Sequence, residues 1–101
     1  MSPPYTQFRD FYPYYLSEHA DRTCRRLHFV GSCGVLILVA TALITLNAWW
    51  LLAALFCGYG FAWIGHFFFE KNRPATFKNP FYSFAGDWVM FKDMLRGKIS
   101  F

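Results

Sequence analysis

The chain has 101 residues, 55% of them hydrophobic and 23% aromatic, with ten Lys and Arg against six Asp and Glu for a net charge of +4. That length allows one domain, and a soluble globule so small keeps most side chains near water. So apolar a composition therefore excludes an ordinary soluble fold and points to lipid as the solvent. The charges avoid the centre: between Arg26 and Glu70 a stretch of 43 residues contains no Asp, Glu, Lys or Arg.

In chain order, the first 28 residues are polar and aromatic and lack the apolar core and small-residue cleavage site of a secretory signal. Tyr5 to Tyr15, with Pro3, Pro4 and Pro13 in and before it, reads as an irregular segment at a membrane interface. Ser17 to Leu27 reads as a helix with Ser17 as N-cap and i,i+4 pairs Glu18–Arg22 and Asp21–Arg25, running on into a first membrane span. A span needs about 20 apolar residues. Phe29–Leu46 supplies one and Trp49–Phe69 a second, with Asn47 at the turn and Trp49-Trp50 suited to an interface. Beyond Pro74 and Pro80, Phe81–Leu95 mixes aromatics with Asp87, Lys92 and Asp93, the pattern of an amphipathic helix on the membrane surface.

The expected fold is an all-α membrane protein in a single domain, residues 1–101. It is a two-helix transmembrane hairpin with interfacial helical arms at 1–28 and 70–101, completed to a four-helix core by oligomerisation or inside a larger membrane complex. Arg9, Arg22, Arg25 and Arg26 lie in the first arm and all six remaining cations in the second, so the positive-inside rule makes both termini cytoplasmic. This basic surface suits topology and anionic headgroups, and no nucleic-acid motif accompanies it. Cys24, Cys33 and Cys57 form no CxxC pair and read as small hydrophobes rather than a disulfide framework.

The histidines carry the functional signal. His28 lies 19 residues before Asn47 and His66 lies 19 after it. An antiparallel hairpin brings them to one depth, about 28 Å from the turn at 1.5 Å per residue. Ala54, Gly58 and Ala62 form a small-residue row that His66 continues, so His66 faces protein rather than lipid. Glu70 stands one turn beyond His66 on the same face, where imidazole and carboxylate can share a metal. His19 is half a turn out of phase with His28 and joins the group only if the helix bends or breaks between them, or if a second subunit supplies it. The plainer alternative makes these rim histidines interfacial polar groups and pairs Glu70 with Arg25 or Arg26.

Two segments resemble the small membrane proteins of the metal-dependent 2-hydroxy fatty acid dioxygenase family. One is Tyr15-Leu-Ser-Glu-His19 followed after eight residues by His28-Phe-Val-Gly31; the other, more specific, is Gly65-His66-Phe-Phe-Phe-Glu70-Lys-Asn-Arg-Pro74-Ala75. The resemblance implies a multi-helix membrane fold, Fe(II) held by histidines, and O2-dependent shortening of a 2-hydroxy fatty acid by one carbon. His19, His28, His66, Glu70 and Pro74 match its motif positions; the family's Asn and additional His in the first motif are replaced here by Ala20-Asp21-Arg22-Thr23-Cys24. On this reading His28 and His66 are the catalytic metal ligands, with His19 as a third or Glu70 as the carboxylate of a two-His, one-carboxylate set. Arg25, Arg26 or Arg73 would clamp the carboxylate of a lipid-derived substrate. Two further readings are a non-enzymatic accessory subunit or assembly factor, and a haem protein with His28 and His66 as axial ligands.

Overall fold

The computed structural model describes residues 5–74 and 77–101; Pro3 and Pro4 of the first arm and Ala75 of the second motif lie outside them. Those residues form α1 (Phe8–Ser17), α2 (Arg22–Thr45), α3 (Trp49–Ile64), a π-helical continuation of α3 (Gly65–Glu70), and α4 (Pro80–Leu95). No strand occurs among the described residues.

The hairpin forms as the charge pattern requires. α2, and α3 with its continuation, are long and apolar enough to cross a membrane. Most of their surface is open, Leu43 being 71% and Ile44 83% exposed, unlike the core helices of a soluble protein. Thr41 and Thr45 return their hydroxyls to the carbonyls of Ile37 and Thr41, which leaves no side-chain donor unmet on that apolar face. α2 stops where Leu46 takes a left-handed conformation (φ 56°), and the Asn47 side chain accepts from the Trp49 N–H to start α3.

Between the two long helices, glycine sets the distance. A Cβ on Gly31 would lie 2.8 Å from the Phe61 Cβ, one on Gly34 2.6 Å from the Cys57 sulfur, and one on Gly58 3.0 Å from a Val35 methyl. The small-residue row of α3 thus faces α2, as its spacing indicates. Gly31→Val should therefore force the helices apart and cost about 1–3 kcal/mol, the usual penalty of overpacking. Gly60, whose added Cβ would meet nothing within 4 Å, is the control. Thermal unfolding in detergent should drop for Gly31→Val and hold for Gly60→Ala; equal midpoints would refute the close approach.

Two expectations for the first arm need correction. Tyr5–Tyr15 is not irregular: from Phe8 it is helix, with Pro13 inside. Phe8, Phe11, Tyr12 and Tyr15 recur at helical spacing. Their stripe packs against Met90 and Met94 of α4, with Phe11 and Tyr15 fully buried, while Pro13 points outward. That burial outweighs the hydrogen bond and the carbonyl clearance a helical proline forfeits. Nor does one helix run from Ser17 through Leu27. α1 ends at Ser17, and α2 begins afresh with Asp21 as N-cap, its carboxylate accepting from the Cys24 N–H. Glu18 and Arg22 therefore share no helix, and Arg25, instead of pairing with Asp21, donates to the carbonyls of His19 and Ala20. Phe81–Leu95 is helical as expected, starting one residue earlier at Pro80, whose missing N–H costs nothing at a helix start. Tyr12 and Tyr15 bond across to Asp93 and Asp87, tying α1 to α4 over the end of the hairpin remote from Asn47.

Candidate metal centre

The break between α1 and α2 brings His19 back beside His28, and the hairpin brings His66 to the same level. Ring centroids are 4.6 Å apart for His19–His28, 4.4 Å for His19–His66 and 5.0 Å for His28–His66. All three are buried, at 1%, 7% and 2% exposure. Their arrangement grows from local sequence. His19 follows α1's last turn, and its ring stacks on that of Tyr15 at 3.9 Å. A Cβ on Gly65 would come within 3.2 Å of the Cys24 Cα, so only glycine lets the start of the π segment lie against α2 at the level of the rings. The π segment then offsets the helix by one residue, a device common at functional sites.

Each ring is oriented through its far nitrogen. His19 Nδ1 donates to the Tyr15 carbonyl (2.6 Å), His28 Nδ1 to the Cys24 carbonyl (2.9 Å) and His66 Nδ1 to the Asn72 Oδ1 (2.7 Å). Asn72 is fixed in turn, because its amide donates to the Glu18 carbonyl. A carbonyl oxygen can only accept, so Nδ1 carries a proton in all three rings, and in a neutral ring that leaves Nε2 with a lone pair. Burial, then the neighbouring rings of His28 and His66, hold His19 well below the usual imidazole range, so that ring is neutral. Yet the Nε2 atoms of His28 and His66 lie 3.2 and 2.9 Å from that of His19. Three lone pairs converge with no proton to share.

That conflict disappears with a cation at the centre. Nitrogens about 3 Å apart subtend roughly a right angle at an ion about 2.1 Å from each. Nδ1–H donation to a carbonyl is the outer-shell partner that a metal-bound imidazole ordinarily has. The three histidines are the group of potential ligands that forms among the described residues.

The family model described as 2-hydroxy-palmitic acid dioxygenase Mpo1-like matches residues 5–99. The chain belongs to the Mpo1-like family. Neither a curated protein nor a solved structure matches it.

In this Mpo1-like chain the expected site residues divide. His28 and His66 meet as their symmetry about Asn47 requires, and His19 joins them through the helix break rather than through a second subunit. Glu70 is not in the cluster: its oxygens accept from the backbone N–H groups of Ala20 (3.0 Å) and Asp21 (2.6 Å). It clamps the linker that carries His19 and so leaves Arg25 and Arg26 to other partners. Arg25 donates through Nη1 to the linker carbonyls while its buried Nε has no partner among the described residues; Arg26 donates to the Phe101 carbonyl and lies over its ring, and Arg73 is exposed. None of these three residues lines the cavity beside the histidines. A haem between His28 and His66 does not fit, since the His19 ring occupies the space that a macrocycle needs. Pro74, the motif's last described position, is buried in the wall of a cavity that opens beside the cluster.

That cavity lies between α2, α3 and α4. His28, Ser32, His66, Ser83 and Asp87 line its polar end, and Val35, Val39, Leu51, Ala54 and Leu55 the end nearer the Asn47 turn. From His66 to Leu51 is fifteen residues of helix, about 22 Å. Sequence reasoning missed Tyr15, Asn72 and Asp87. The first was hidden in an arm read as irregular, and the other two matter only through contacts across the fold. Asp87 accepts a hydrogen bond from the Tyr15 hydroxyl, and burial pushes its carboxyl up to about 7 against that bond's opposing effect.

Proposed function

We propose that the protein is an integral membrane, Fe(II)-dependent dioxygenase that shortens long-chain 2-hydroxy fatty acids by one carbon, using O2. The observation that carries this reading is the convergence of three histidine Nε2 atoms at the polar end of a cavity whose far end is apolar. Family membership supports it. His19, His28 and His66 would hold the metal, whose remaining positions supply the place where O2 and the hydroxy-carboxylate head meet.

The chain's own residues do the rest. Tyr15, Cys24 and Asn72 fix the ring orientations through the Nδ1 bonds, so the ligand nitrogens stay aimed without reorganisation. Val35, Val39 and Leu55 receive the tail and keep water from it. About 22 Å of groove matches an extended chain of roughly 17 carbons, at ~1.25 Å per methylene for ~1.5 Å bonds. The segregation of all ten cations to the two arms supports cytoplasmic termini, with the site at the cytoplasmic rim, where an amphiphile's head meets water. Four helices of one chain already surround the cluster; a homo-oligomer would cover the open apolar faces of α2 and α3.

The test is anaerobic purification in detergent with Fe(II), metal analysis, then addition of O2 and a long-chain 2-hydroxy acid. One iron per chain and a product one carbon shorter are expected. Iron-loaded protein that yields no shortened product would exclude the reaction, and a chain that takes up no metal would favour an accessory subunit.

A further inference from the structure

Asp87 sits on the cavity wall opposite the hairpin, and nothing in the metal cluster needs it. Ser83 and Asp87 are one turn apart on the same face of α4, as His28 and Ser32 are on α2, so the two helices present polar pairs to one space. Around this small polar ring the lining is apolar. Even a half-buried acidic side chain in such a wall carries a cost unless something satisfies it. Tyr15 satisfies Oδ1 alone. Gly86 makes that bond possible, for a Cβ there would lie 2.9 Å from the Tyr15 ring. The rest of the carboxyl faces the cavity that His28 and His66 line from the other side.

We infer that Asp87 is the specificity-determining residue for the 2-hydroxyl group, its second oxygen pairing with the hydroxyl of a chain whose tail lies along Val35 and Val39. The inference rests on the function proposed above and adds the residue that separates a hydroxylated fatty acid from an unsubstituted one. Either protonation state serves, because a carboxylate accepts from a hydroxyl and a carboxylic acid can also donate to it. Where Asp87 is ionised, like charges repel and direct the substrate carboxylate away from it and towards the histidines. A bare acceptor in the wall also works against the unsubstituted acid, which would bury the carboxyl with no partner.

The test reads equilibrium affinity rather than turnover. Iron-loaded protein, held without O2, is titrated with 2-hydroxyhexadecanoic and hexadecanoic acids by displacement of a fluorescent fatty acid. Three chains are compared: wild type, Tyr15→Phe, and the Tyr15→Phe/Asp87→Leu double variant. The double variant removes both partners of the part-buried hydrogen bond and leaves no orphan, which protects folding. Its preference for the 2-hydroxy acid should fall roughly tenfold, the size of one hydrogen bond to a charged group, with iron still at one per chain. Tyr15→Phe keeps the backbone carbonyl that holds His19 and supplies the reference preference with the hydroxyl alone removed. If the double variant discriminates as well as Tyr15→Phe does, Asp87 only anchors Tyr15 and the inference is overturned while the proposed function stands. If the iron-loaded wild type itself binds both acids equally, the inference falls, and the function is decided separately by whether a product one carbon shorter forms.

Discussion

Replacing His19, His28 or His66 by Ala, one at a time, should reduce bound metal from one per chain to near zero and abolish O2-dependent turnover. The three are equivalent in the structure. Each has a buried ring, an Nδ1–H held by an oxygen and an Nε2 within one cluster. Losing an outer-shell partner costs about 10–100-fold in metal affinity, and losing one ligand of three costs more. The His19 variant is the most informative, because His19 supplies the nitrogen that both others approach. The rings also pack on one another and on Tyr15, so folding needs its own check. Each variant should elute from size exclusion with the wild type and keep its helical circular dichroism. Cys57→Ala is the control, since its sulfur lies near the Gly31 carbonyl and away from the rings. Metal analysis decides: if two of the three variants keep stoichiometric metal, the cluster is a packed set of buried imidazoles.

Much of this arrangement is legible before any coordinates, and the limits follow from which information is local. The hairpin is legible because a stretch of 43 residues without charge has few physical solutions once lipid is the solvent. The meeting of His28 and His66 follows from the same fact, as equal distances from a turn become equal depth when both arms are helical. The row Ala54, Gly58, Ala62 gave facing, and Val35 is where it was needed. What failed was reading through competing local signals. Pro13 spoke against a helix that the aromatic stripe of Phe8, Phe11, Tyr12 and Tyr15 paid for in tertiary contacts with α4. Ser17 and Asp21 are both good N-caps, and choosing the first made one helix of two. The choice between them was set by partners far away in sequence: Glu70 and Asn72 hold the linker's N–H groups and carbonyl, and no window around residue 20 contains either. The half-turn mismatch of His19 with His28 left a bend, a break or a second subunit as ways to one centre, and the break is what the fold uses.

The same contacts give Glu70 a role that substitution can separate from ligation. A metal-binding carboxylate and a linker clamp both make Glu70 important, but they fail differently. As a clamp, Glu70 offers one oxygen to each of two adjacent backbone N–H groups at the start of α2, where a negative charge is also favoured by the helix dipole. Glu70→Ala removes both bonds, each worth about 1.5–3 kcal/mol when the acceptor is charged. The unfolding midpoint should fall clearly. Metal affinity should fall about 10–100-fold, as for an outer-shell partner, because the linker that carries His19 is loosened. Stoichiometry at saturating metal should nevertheless stay at one per chain. Glu70→Gln keeps one acceptor oxygen and should lie between Ala and wild type in both stability and affinity. Glu70→Asp, one methylene short of the linker, should resemble Ala despite its charge. A ligand predicts another order: Asp retains metal better than Gln, because charge and not reach would matter, and Ala lowers the stoichiometry as the histidine variants do. Titrating Fe(II) into the three variants and ranking them distinguishes the two. The order Gln above Asp is the clamp's, and the reverse order would return Glu70 to the metal.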